Sequence, residues 1–66
     1  MNKSLLNKLI KESGYRKKDI AESIGVNRST FYKKEVGTSC FNQKEIIRIK
    51  KILNLSNEQI IDVFFS

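Results

Sequence analysis

Apolar residues recur along this chain at helical spacing, in five stretches punctuated by glycine, asparagine and serine. In residues 4–13, Leu5, Leu6, Leu9 and Ile10 fall on one side of a helical wheel, with Asn7, Lys8 and Lys11 opposite. A first helix is predicted there, with Ser4 as N-cap and Gly14 as its end. Tyr15 is expected to pack on the core as an apolar lid, its hydroxyl reaching the surface. A second helix starts at Arg16 or Lys17, with Asp19 in its first turn and a narrow apolar face of Ile20, Ala21 and Ile24. Gly25 ends it where a left-handed residue is wanted. Val26 follows as an apolar anchor, and Asn27 caps a third helix from Arg28 to Glu35. Residues 38–41 read as a loop. Asn42 with Glu45, and later Ser56 with Gln59, have the spacing of reciprocal helix caps, which places a fourth helix after Asn42 and a fifth over 57–65. In the fourth, Ile46, Ile49, Ile52 and Leu53 share one face flanked by Ile47, and Lys44, Arg48 and Lys51 gather opposite. Lys50 falls at the margin, where its stem packs while its ammonium reaches water. Asn54-Leu55 is the joint. The pattern predicts an all-α fold, a compact five-helix bundle forming a single domain over residues 1–66.

The second and third helices, joined by a tight turn containing Gly25, make a helix-turn-helix pattern, and small Ala21 lets the two cross closely. Residues 17–37 resemble the helix-turn-helix of the lambda-repressor-like family, the phage Cro and repressor class. The matching residues are Ala21, Gly25, Val26, the Arg28-Ser29-Thr30 run, Phe31 and the Glu35-x-Gly37 ending. The resemblance extends over most of the chain, from about Leu5 to Ile61. It implies that Phe31 faces inward and that helix 3 enters the DNA major groove. Arg28, Ser29, Tyr32 and Lys33 are then the candidate base-reading residues. The Arg28 guanidinium can bridge O6 and N7 of guanine, its alternative being a phosphate contact. Lys17 stands where the family usually has a phosphate-binding Gln. Asn27, Asn42, Gln43 and Lys44 are the further candidates for phosphate, the last three opening helix 4, where backbone N–H groups and the helix dipole favour an anion.

Two positions depart from the family. An Arg late in helix 1 commonly pairs with the Glu that is here Glu35, but this chain has Ile10 there, so Glu35 must find another partner or stay solvated. Position 34, commonly aromatic or aliphatic, is Lys34, which implies a looser end to helix 3 or an outward-facing lysine.

Charge and composition sharpen the picture. Thirteen Lys and Arg against seven Asp and Glu leave a net charge of +6, which favours an anionic partner. Sixty-six residues lie near the lower limit for a self-sufficient core. No stretch approaches the ~20 apolar residues of a membrane span. The single Cys40 permits no intrachain disulfide and fits a reducing cytoplasm, here that of a bacterial host. The chain has no His, no phosphate-cradling glycine loop and no paired acids, so no enzyme, cofactor, metal or small-molecule substrate is expected.

The expected function is sequence-specific binding of double-stranded DNA by a phage Cro-like transcriptional regulator occupying an operator. The length suits a Cro-like protein or the N-terminal domain of a longer repressor. The alternatives are a small autoregulatory antitoxin-type DNA binder, or a protein-interaction module on the same fold. RNA binding lacks the exposed stacking aromatics it would need. The apolar end of the chain makes Phe64 and Phe65 candidates for a homodimer contact, weak without DNA, their alternative being to fold back on helix 1.

Overall fold

In a computed structural model, which describes residues 1–65, the chain forms five helices and, among those residues, no strand. They are α1 (Lys3–Ser13), α2 (Lys17–Ser23), α3 (Arg28–Glu35), α4 (Gln43–Leu53) and α5 (Asn57–Phe64). The cap residues explain these limits. Asn42 and Ser56 accept from the backbone of Glu45 and Gln59, whose side chains return to the cap N–H, so both reciprocal caps form. Gly14 and Asn54 end α1 and α4 in the left-handed region. Asn54 is there a neat compromise: its φ of 53° lets the Leu55 N–H reach the Lys50 carbonyl at 2.9 Å, and Leu55 drops into the core.

α1 begins earlier than expected. Asn2, not Ser4, is its N-cap, accepting from the Leu5 N–H at 3.0 Å. The choice is tertiary, because the Asn2 N–H donates to the Val63 carbonyl at 2.7 Å and ties the entry of α1 to α5. At the other end, α5 stops at Phe64, and Phe65 is its C-cap residue.

The core draws on every helix: Leu6 and Ile10 of α1, Ile20 and Ala21 of α2, Phe31 of α3, Ile49 of α4, Val63 of α5, and Leu55 from the joint. Each large apolar side chain buried this way contributes about 1.5–3 kcal/mol. α1 packs on α4 and α5, and α2 packs on both α3 and α4. Phe41, from the connection between α3 and α4, bridges two elements. Its ring meets Phe31 edge-on at 5.7 Å and Phe64 at 5.4 Å. A segment that sequence pattern marks only as a loop thus carries a side chain packed against the core.

Tyr15 is not a lid. It is 48% exposed, because the left-handed Gly14 turns the chain outward and Tyr15 N–H bonds Ser13 Oγ at the surface. Ile47 is also exposed, while Lys50 lies along the apolar margin and its ammonium bonds Asn57 Oδ1, linking α4 to α5. None of the described helices is long and apolar enough to cross a membrane.

Candidate nucleic-acid interface

The connection from α2 to α3 takes four residues. Ile24 closes α2, and Gly25 follows with φ 80°. The Gly25 N–H then donates to the Glu22 carbonyl at 3.1 Å and the Val26 N–H to the Ala21 carbonyl at 3.0 Å, a paired ending that satisfies carbonyls of the last turn. Asn27 is extended and its side chain accepts from the Thr30 N–H at 2.8 Å, which starts α3 at Arg28. α2 is therefore stopped and α3 restarted within a few residues, with Ala21 buried near the crossing.

Only two side chains of α3 are buried, Phe31 and Glu35. These two anchor the helix, Thr30 and Lys34 are partly covered, and the remaining α3 side chains are left to solvent. Arg28, Ser29, Tyr32 and Lys33 are all exposed and line one shallow depression. The four candidate base-reading residues are thus brought together on one face. Lys3, at the start of α1, adds a cation there, its ammonium 5.7 Å from the centre of the Tyr32 ring. Nothing in the sequence pattern signals this neighbour, since α1 and α3 are distant in the chain.

Of the candidate phosphate contacts, Lys17, Asn42 and Lys44 fall into two places, and Asn27 and Gln43 line neither. Lys17 joins Arg28 in a cavity beside α3, together with Phe31, Tyr32 and Glu35. Lys44 and Asn42 instead line a depression with Arg48 and the end of α2, residues Glu22 to Gly25. Gln43, the first residue of α4, is exposed. Asn27 and Asn42 use their side-chain oxygens as helix caps, so the amide NH2 is the part of each that can meet a phosphate. Arg48, from the polar face of α4, lines the same depression as Lys44 and so belongs to this second cluster.

Both departures at the end of α3 are resolved by ion pairs. Glu35 is buried, and Lys17 Nζ lies 3.1 Å from its Oε1. Ile10 of α1 is buried in the core, and the cation that pairs with Glu35 comes from α2. Lys34 neither loosens α3 nor faces outward. Its side chain is largely covered, and its ammonium bonds Glu45 Oε1 and the Cys40 carbonyl, each at 3.0 Å.

At the opposite end of the chain, the adjacent phenylalanines separate. Phe64 is half-buried against Phe41, whereas Phe65 is 68% exposed. Cys40 is exposed nearby, lining with Phe41, Phe64 and Phe65 an open groove. Among the described residues no group of His, Cys, Asp or Glu is arranged to hold a metal ion.

No protein-family model, curated protein or solved structure matches the chain significantly. What the surface does has to be read from its own residues.

Proposed function

We propose that the protein binds double-stranded DNA sequence-specifically, with α2 and α3 acting as a helix-turn-helix and α3 lying in the major groove. The observation that carries this reading is the face of α3. It is held by two buried side chains and exposes Arg28, Ser29, Tyr32 and Lys33 together. Arg28, at the first position of the helix, reads a base edge through its planar guanidinium. Ser29 and Lys33 supply further donors, and the Tyr32 ring offers an apolar face to thymine methyls. Lys17, Gln43, Lys44 and the amides of Asn27 and Asn42 hold phosphates and set the register. The net charge of +6 supplies long-range attraction to the duplex.

In this reading the protein is a Cro-like regulator of the lambda-repressor-like kind, working in the cytoplasm of a bacterial host by occupying an operator. The exposed Phe65 joins two copies through a weak contact, and the dimer spans half-sites about 10–10.5 bp apart. Binding to random-sequence duplex at low and moderate salt is the first test, with single-stranded RNA of equal length as the comparison. The expected result is preference for duplex, with affinity falling linearly in log salt, and enrichment of one motif from a random library. Absence of duplex binding at low salt sinks the reading and leaves a protein-interaction module as its successor.

A further inference from the structure

Glu35 is a carboxylate on a helix that displays Arg28 and Lys33 to solvent, yet its side chain is 0% exposed. Oε1 accepts from Lys17 Nζ at 3.1 Å, while Oε2 is buried with no hydrogen-bond partner. A buried carboxylate oxygen costs free energy until a donor reaches it. Glu35 shares a cavity of about 150 Å³ with Lys17, Arg28, Phe31 and Tyr32, and no other acid lines it. Arg28 precedes Glu35 by two helical turns, so the two lie along one line of α3. A guanidinium has five donors, enough to meet a carboxylate with one edge and DNA with another. Lys17 likewise has three donors, and its side chain is 46% exposed, so the bond to Glu35 leaves it able to face a phosphate.

The geometry points to Glu35 as a positioning residue for DNA recognition. Through Oε1 it holds Lys17 of α2, and through Oε2 it takes Arg28 of α3, presenting the two cations as one fork where the helices cross. The inference rests on the DNA-binding reading above. Holding two long side chains in place beforehand removes part of their ordering cost on binding. The same negative charge weakens attraction to phosphates in general, so Glu35 favours the correct site over unrelated duplex.

The test compares wild type, Glu35→Gln, Lys17→Gln and the double variant on two duplexes of equal length. One is selected from a random library and the other is unrelated. Glutamine keeps the shape of Glu35 and removes its charge, and circular dichroism reports whether the helices persist. Glu35→Gln is expected to lower the ratio of selected to unrelated affinity about tenfold, the size of one base-reading contact. Its affinity for the unrelated duplex should be unchanged or higher. Lys17→Gln, a substitution at an exposed side chain, should cost several-fold less when Glu35 is already Gln. Full retention of the ratio, or additive losses in the double variant, overturns the positioning role and leaves DNA binding standing. A parallel loss on both duplexes with a fall in helical signal overturns it as well, by assigning Glu35 to the fold alone. If wild type binds neither duplex, the DNA-binding reading fails and this inference fails with it.

Discussion

Lys34 Nζ lies 3.0 Å from Glu45 Oε1, and that same oxygen accepts the Asn42 N–H at 2.9 Å. One carboxylate oxygen therefore closes the cap of α4 and receives a lysine from the last turn of α3. The ammonium also holds the Cys40 carbonyl, so the connection between the two helices is tied at both sides. Because the side chains of both partners are largely covered, removing one leaves a charge poorly solvated. Lys34→Met should lower stability by about 1–3 kcal/mol. In a domain of this size each kcal/mol shifts the melting temperature by about 4–8 °C. Lys51→Met, at an exposed position of α4, should stay within about 0.5 kcal/mol. Equal melting of the two variants would show that the Lys34 pair contributes nothing beyond a surface charge.

The turn between α2 and α3 offers a test of backbone conformation alone. A Cβ built at Gly25 meets nothing within 4 Å, so a side chain there has space, and only the φ of 80° resists it. Gly25→Val should cost more than about 1 kcal/mol. Gly25→Asn should cost less, because asparagine visits the left-handed region more readily. Chemical denaturation of both variants checks the order. Equal losses would point to a steric cause that the open surroundings of Gly25 do not provide.

Phe64 and Phe65 are neighbours with different surroundings. Phe64→Ala removes an edge-on contact with Phe41 and should destabilise the chain by ~2 kcal/mol, less than the 3–5 typical of a fully buried phenylalanine. Phe65→Ala should change monomer stability by no more than about 0.5 kcal/mol and weaken self-association. Sedimentation across a wide concentration range, beside thermal melting, separates the two effects. A protein that stays monomeric at the highest concentration, with or without Phe65, loses its place as a dimer.

If α3 reads DNA as proposed, reading and holding are separable by substitution. Arg28→Ala should relax preference at one base pair of each half-site, at a cost of about 1–3 kcal/mol. Lys44→Ala should weaken all duplexes alike, keep their ranking, and reduce the salt slope by about one. Titrating single-base variants of the selected site at two salt concentrations distinguishes them. If Arg28→Ala preserves the ranking, Arg28 is a phosphate clamp and reading passes to Ser29, Tyr32 and Lys33.

Much of this architecture is written locally. The caps at Asn27, Asn42 and Ser56 and the ends at Gly14 and Gly25 depend on groups within a few residues, so the sequence by itself determined the number, order and most limits of the helices. The exposed face of α3 was legible for a similar reason. Once Phe31 is inward, helical periodicity sends Ser29 and Lys33 outward. Tertiary structure alone decided the rest. Ser4 is the cap that local pattern suggests for α1, but Asn2 takes that place, tied to Val63 by a hydrogen bond across the length of the chain. Lys17 and Glu35 stand 18 residues apart, and Lys34 and Glu45 stand 11 apart. Neither pairing leaves a mark in local pattern, since a charged side chain reads as surface until packing brings its counter-ion within reach. Burial of Glu35 was hidden in the same way: only the crossing of α2 and α3 makes a carboxylate there an interior group rather than a solvated one.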